Sequence, residues 1–325
     1  MLIDKFGRQI TYLRLSVTDR CNLRCFYCMP NDGIEFLPRK ELLTYEELLR
    51  ISKLLGNEGV TKIRLTGGEP FVRKDLIGFI HNLKEIKSKP DIHITSNGVL
   101  IEQHLEELKE IGIQSINLSL DTLDSQRFSE ITHRNYFDRV ITSFNTMISL
   151  GINTKVNMVV MKGKNEEDII PMARLAVDNR VHIRFIEEMP FNGSGETHEI
   201  LSFREIENAL RNEFRDLERI NDIYGSTSIN YKSNILKGDL GIIPAYSRTF
   251  CGSCNRIRIT SQGLLKNCLY DEKGLDLRYL LRNGISDSDL LKEIQNWVLK
   301  KSKDGFEAES NRKNAEFESM SIIGG

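Results

Sequence analysis

A chain of 325 residues has room for one large domain or two ordinary ones, and 40% hydrophobic with 28% charged content is ordinary for a globular protein. Lysine and arginine number 45 against 46 acidic residues, a net charge of −1, so no global field attracts nucleic acid, and any anion site must come from local clustering. No run approaches the roughly 18 apolar residues of a membrane span, and Met1-Leu2-Ile3-Asp4-Lys5 lacks the basic head and apolar core of a secretory signal.

The first strand-like run is Tyr12–Val17. Directly after it comes Cys21-Asn22-Leu23-Arg24-Cys25-Phe26-Tyr27-Cys28, with three of the six cysteines. Further strands are predicted at Lys62–Leu65, Asp91–Thr95, Ser115–Leu120, Thr154–Val160 and His182–Ile186. Amphipathic runs lie between them. Thr44-Tyr45-Glu46-Glu47 is a capping box opening a helix whose Leu48, Ile51, Leu54 and Leu55 recur at helical spacing. Leu76–Ile86, Ile101–Ile111, Phe137–Leu150 and Glu166–Val177 are predicted as helices by the same rule, with Gly59, Gly112 and Gly151 placed where helices end. Strand and helix in alternation argue for a parallel sheet.

Pro190-Phe191-Asn192-Gly193-Ser194-Gly195 breaks the alternation and reads as a loop. Beyond it a helix is predicted at Ser202–Arg215 and short strands at Ser228–Tyr231, Leu240–Pro244 and Arg256–Thr260. Asp287–Lys300 is predicted as a helix that packs through Trp297. From Lys301 to Glu318 the chain is charged and poorly periodic and is expected to be a mobile tail, ending in Gly324-Gly325. The expected division is 1–200 for the alternating part and 201–325 for a smaller C-terminal domain.

The remaining cysteines are Cys251, Cys254 and Cys268, spaced C-x-x-C-x13-C, so the complement divides three and three. Six cysteines in two tight groups point to metal ligation in a reducing cytoplasm rather than to disulfides. A four-iron cubane normally takes four thiolates. Three leave one iron open to bind something else, and the same incomplete set occurring twice suggests two such centres. A zinc knuckle or inert thiols are the plainer readings of the first group, and a structural zinc site of three cysteines and one histidine that of the second.

Cys-x-x-x-Cys-x-x-Cys with an aromatic before the last cysteine resembles the signature of the radical SAM superfamily. The two three-cysteine groups together resemble the GTP 3′,8-cyclases of molybdenum cofactor biosynthesis, the MoaA family. So do the blocks Arg64-Leu65-Thr66-Gly67-Gly68-Glu69-Pro70, Asn117-Leu118-Ser119-Leu120-Asp121, Arg184-Phe185-Ile186-Glu187 and Asn255-Arg256-Ile257-Arg258. The resemblance implies an α/β fold: a partial (β/α)6 TIM-like barrel followed by a smaller C-terminal α+β region. It implies two [4Fe-4S] clusters, on Cys21, Cys25 and Cys28 and on Cys251, Cys254 and Cys268, with S-adenosylmethionine on the open iron of the first.

The implied activity is a lyase reaction. A 5′-deoxyadenosyl radical removes the ribose 3′ hydrogen of GTP, and the ring closes on carbon 8 to give (8S)-3′,8-cyclo-7,8-dihydroguanosine 5′-triphosphate. By resemblance, Tyr27, Gly68, Ser119 and Met189 contact S-adenosylmethionine, and Glu69 lies in the block that binds its amino end. Arg14, Arg64, Thr95, Lys155, Arg256, Ile257 and Arg258 contact GTP. Arg184 is catalytic, and the Gly-Gly tail enters the site. Arg14, Arg64 and Lys155 also stand out on their own, since a charge inside a barrel is costly unless an anion meets it. No G-x-x-x-x-G-K-[ST] loop is present, so the nucleotide is not held by a P-loop. An electron donor, a homodimer and handover to a cyclic pyranopterin monophosphate synthase complete the implied picture, without nucleic acid or membrane. Two other readings compete: a radical SAM peptide-modifying maturase with an auxiliary cluster, and a zinc-dependent nucleic-acid-binding protein.

Overall fold

Six strands follow one another in chain order, each paired in parallel with the next: β1 (Tyr12–Ser16), β2 (Lys62–Thr66), β3 (Asp91–Ser96), β4 (Ser115–Ser119), β5 (Thr154–Val160) and β6 (His182–Glu187). These are the six strands that the alternation predicts, with ends shifted by a residue. The computed structural model describes every residue except 31–32, 190, 192–198, 221–224, 314–317 and 325. Most of the loop expected from Pro190 to Gly195 therefore lies outside the described residues, as does Gly325.

The intervening helices are α1 (Tyr45–Asn57), α2 (Leu76–Lys84), α3 (Leu105–Ile111), α4 (Ser125–Thr132), α5 (Phe137–Ser149) and α6 (Ile169–Asp178). Helix α1 begins with the predicted capping box: Glu47 N–H donates to Thr44 Oγ1, and Thr44 N–H to Glu47. Helix α3 stops at Gly112, whose φ of +74° is cheap only for glycine. Helix α4 was not predicted; its cap is Asp124, which accepts from Arg127 N–H at 2.7 Å.

Along β5 the burial alternates. Val156, Met158 and Val160 belong to the continuous apolar core, while Lys155, Asn157 and Val159 are less buried and face inward. Each outward valine or methionine removed from water contributes roughly 1.5–3 kcal/mol. The inward positions, whose register runs from strand to strand, are free to carry polar groups.

The C-terminal part supplies α7 (Phe203–Glu213), β7 (Glu218–Arg219), β8 (Ile229–Lys232), β9 (Asp239–Ile243), β10 (Arg256–Ile259), β11 (Leu264–Lys266), β12 (Leu275–Asp276), α8 (Leu277–Arg282) and α9 (Asp287–Val298). Its strands join the same sheet on both sides. Strand β9 pairs in parallel with β6, and β10 in parallel with β1. Among the described residues the sheet runs β12-β11-β10-β1-β2-β3-β4-β5-β6-β9-β8-β7. Trp297 packs on the core as expected.

The expectation of a mobile tail from Lys301 is corrected. Lys301 is 2% exposed, and its ammonium donates to the carbonyls of Arg256 (2.9 Å) and Asn267. Arg8 donates to the carbonyls of Ser302 and Lys303, and α10 (Gly305–Ser310) is capped by Asp304. Of the charges that suggested a solvated segment, Lys301 is used on buried carbonyls, Asp304 on a helix cap, and Glu309 and Glu318 on the buried Arg248 and Lys266. A last short helix, α11 (Met320–Ile323), returns to the mouth of the barrel.

Candidate active site between two cysteine groups

All six cysteines are free and partly buried. Cys21, Cys25 and Cys28 lie just past the C-terminal end of β1. They line one open cavity of about 100 Å³ with Tyr27, Gly68, Thr95 and Ser119, so most of the residues expected around S-adenosylmethionine share one space. Burial pushes the Cys21 thiol up to about 11 and Cys28 up to about 12, and drives Cys25 well above its ordinary value. Thiolates in such a place need a positive centre to be stable. Among the described residues no three side chains close on one point as the ligands of a single ion do. In a cluster each thiolate takes a different iron, so no such convergence is needed. Three soft donors around an open cavity fit a [4Fe-4S] group.

The glycine pair also has a packing role. A Cβ on Gly68 would stand 2.4 Å from the Arg20 carbonyl, and one on Gly67 would stand 2.5 Å from that of Thr18. The glycines let the loop after β2 press against the loop that carries the cysteines. Gly68 N–H donates to Thr18 and Glu69 N–H to Arg20, both at 2.8 Å. Glu69 is fully buried and accepts from Asn97 N–H (2.7 Å), Ser96 Oγ (3.0 Å) and Phe71 N–H (3.1 Å). Burial raises its carboxyl to about 7 against these bonds. It ties the loops after β2 and β3 together.

Two residues of this site were missed. Asp121 accepts from Tyr27 Oη and Val159 N–H, both at 2.8 Å, and so fixes the tyrosine within the cysteine loop. Asn97 donates to Asn22 Oδ1 at 2.7 Å and approaches Cys21 Sγ at 3.7 Å. Both follow strand ends in polar stretches, which was the available signal. Met189 is placed elsewhere: it packs with Cys268 on a small apolar group of Phe191, Tyr270, Ala308 and Ile323.

Cys251 and Cys254 precede the N-terminal end of β10, which runs parallel to β1. The sheet therefore sets the two cysteine groups at opposite strand ends. Burial raises Cys251 and Cys268, the latter to about 11. Burial also acts on Cys254, but Lys301 and Arg256 outweigh it and hold this thiol below its ordinary value. Arg8, itself paired with Asp4 at 2.6 Å, donates to the Cys251 carbonyl at 3.0 Å.

Between the two groups the inward positions carry cations. Arg14 pairs in register with Arg64 on β2 and Arg258 on β10, and Asn157 with Arg184. Lys62, Arg256 and Lys155 occupy further inward positions. Burial, then Arg184, Lys62 and Arg64, lowers Lys155 to about 7; burial, then Arg64, lowers Arg184 to about 10. Burial, then Arg14, lowers Arg258 to about 9. His93 on β3 is lowered to about 2 by burial and then by Arg64, and stays neutral. The Nε of Arg184 is buried without a hydrogen-bond partner. Cations this crowded in a chain of net charge −1 form a site for a polyanion. The side chain of Ile257 points into the core. Thr95 lines the first cavity, its Oγ1 buried and without a partner.

The tail reaches this space. Ser319 Oγ donates to the Cys28 carbonyl at 2.6 Å. Gly324 has φ +84°, and its Cβ would stand 2.8 Å from Ser16 Cβ and 2.9 Å from Thr66 Oγ1. Arg258 Nη1 lies 3.5 Å from the Gly324 carbonyl.

Residues 15–176 match the family model of the Radical SAM superfamily, and residues 181–307 that of Molybdenum Cofactor Synthesis C. An Arabidopsis thaliana protein named GTP 3′,8-cyclase, mitochondrial, is 41% identical over 305 residues, 93% of this chain and 78% of that one. A Clostridium perfringens GTP 3′,8-cyclase is 38% identical over 324 residues, 99% of each chain. The human molybdenum cofactor biosynthesis protein 1 is 40% identical over 295 residues, and the match spans 46% of its length. In fold, the chain is similar to Streptococcus suis SuiB bound to S-adenosylmethionine, with TM-score 0.66, 17% identity and coverage of 97% of this chain and 77% of that one. No helix among the described residues is long and apolar enough to cross a membrane.

Proposed function

The chain belongs to the radical SAM superfamily and, within it, to the GTP 3′,8-cyclases, and from that membership we propose that it converts GTP to (8S)-3′,8-cyclo-7,8-dihydroguanosine 5′-triphosphate. This is the first step of molybdenum cofactor biosynthesis. The observation that carries the reading is the row of inward cations, Arg14, Arg64, Lys155, Arg184, Arg256 and Arg258, set between two groups of three cysteines. A peptide substrate gives such a row no purpose.

Cys21, Cys25 and Cys28 hold one [4Fe-4S] cluster, and Cys251, Cys254 and Cys268 a second. When bound, the first cluster and S-adenosylmethionine supply the 5′-deoxyadenosyl radical that takes the ribose 3′ hydrogen. Tyr27, Gly68 and Ser119 line the cofactor's space. Arg14, Arg64, Lys155 and Arg184 hold the triphosphate and fix the ribose. Arg256, Ile257 and Arg258 steady the nucleotide on the side of the second cysteine group. The reacting carbons gain rate from being held at near-attack distance, worth several orders of magnitude. Gly324 and the tail close the mouth and exclude water. A reductant supplies the electron, the protein works as a homodimer in the cytoplasm, and its product passes to a cyclic pyranopterin monophosphate synthase.

The test is anaerobic turnover of the iron-sulfur-reconstituted protein with GTP, S-adenosylmethionine and dithionite. Formation of 5′-deoxyadenosine together with the cyclised nucleotide supports the reading. Cofactor cleavage that is indifferent to GTP refutes it.

A further inference from the structure

One buried, inward-facing group has no role in the account above. Tyr12 is 7% exposed and stands in register with Lys62 on β2 and Arg256 on β10. Its phenol oxygen accepts from Arg64 Nε at 2.7 Å. Lys62 Nζ lies 4.6 Å from the ring centroid, and the Arg256 guanidinium carbon 5.5 Å from it. Arg14 lies two positions along β1, on the same face. Four cations from three strands thus gather around one aromatic side chain. Among the described residues no buried carboxylate occupies an inward position of β1 to β6 or of β10. Like charges brought together without an anion repel one another. The phenol is the one group among them able to carry a negative charge.

We propose that Tyr12 is a positioning residue of the nucleotide site: its oxygen, bonded to Arg64 among Arg14, Lys62 and Arg256, is the resident negative charge of this cation group and hands that charge over to a phosphate oxygen when a triphosphate binds, keeping its bond to Arg64. The proposal rests on the reading that a triphosphate occupies this lumen. Burial raises the phenol, but Arg64, Arg14, Lys62 and Arg256 outweigh it and bring it down to about 6. At neutral pH the empty site therefore holds a phenolate. An arriving triphosphate sets negative charge beside it, and the phenolate takes one proton from the solvent. The neutral phenol still accepts from Arg64, so the guanidinium keeps its direction. Lys155 and His93 face the same lumen, and Lys155 also gains a proton as an anion binds. Proton counting alone therefore does not single out Tyr12, but the tyrosinate absorption band does.

The test titrates the reconstituted holoenzyme, anaerobically and slightly above neutral pH, with inorganic tripolyphosphate, which has no near-ultraviolet absorption. The expected result is loss of one tyrosinate band on saturation, absent from Tyr12→Phe. The affinity of that variant should fall less steeply with rising pH, by about one power of ten per unit. Binding with no change in the tyrosinate band, or an equal change in Tyr12→Phe, overturns the proposal. Should the variant fail to fold, the wild-type band decides. GTP conversion without a band change would sink the role of Tyr12 and leave the activity standing. A band change without GTP conversion would do the reverse.

Discussion

The hydroxyl of Ser319 donates to the carbonyl of Cys28 at 2.6 Å, across 291 positions of chain. This bond fastens the C-terminal tail to the loop that carries the first cysteine group. Five residues on, Gly324 sits between Ser16 and Thr66 at the ends of β1 and β2. The tail is therefore part of the wall of the site.

Gly324→Ala should dislodge it. The residue has φ +84°, which costs an L side chain about 1–2 kcal/mol, and the added methyl would overlap Ser16 and Thr66. The expected outcome is a fall in GTP conversion of about tenfold or more, since 1.4 kcal/mol is a factor of ten. Cofactor cleavage should persist, and amide exchange should rise over residues 319–324. Unchanged conversion would show that the tail can leave the wall without consequence.

Arg8 tests the second cysteine group from outside it. Its guanidinium pairs with buried Asp4 and donates to the carbonyls of Cys251, Ser302 and Lys303. Arg8→Ala leaves a buried carboxylate unpaired, a loss of about 3–5 kcal/mol. Iron bound at Cys251, Cys254 and Cys268 should be lost first, with the Cys21 group retained. Iron and sulfide analysis with electron paramagnetic resonance checks this. Equal loss from both groups would contradict it.

Lys155 gives the site a pH dependence. Burial and then Arg184 hold its ammonium down to about 7, below its ordinary range. The protonated form attracts GTP, so affinity is greatest below pH 7 and falls as pH rises through that value, by up to tenfold per unit. For the empty protein the sign is opposite. The unfolded lysine holds its proton to higher pH, so this contribution to stability is present at alkaline pH and is lost as pH falls through about 7. Lys155→Arg stays charged, and its GTP affinity should decline less between about pH 6 and pH 9. Equal declines in both proteins would exclude Lys155 as the source.

The inward cations were legible because arginine and lysine inside apolar β-branched runs conflict with burial, and only an anion resolves that conflict. Tyr12 was not, because an aromatic at the start of a strand looks like core. Glu69 and the glycine pair were read toward a ligand; that they also join two loops rests on backbone contacts that have no local signature. The pairing of β10 with β1 links residues 244 positions apart, Tyr12 with Arg256 among them, and leaves no mark in either strand. The segment from Lys301 misled because its charges meet partners distant in sequence, buried carbonyls for Lys301 and buried cations for Glu309 and Glu318, which composition does not reveal.

The most direct measurement is a comparison of wild type and Cys268→Ala in anaerobic turnover with GTP, S-adenosylmethionine and dithionite. Two cysteine groups with separate duties predict that the variant still forms 5′-deoxyadenosine but no longer yields the cyclised nucleotide. Wild-type yields from the variant would contradict a substrate role for Cys251, Cys254 and Cys268.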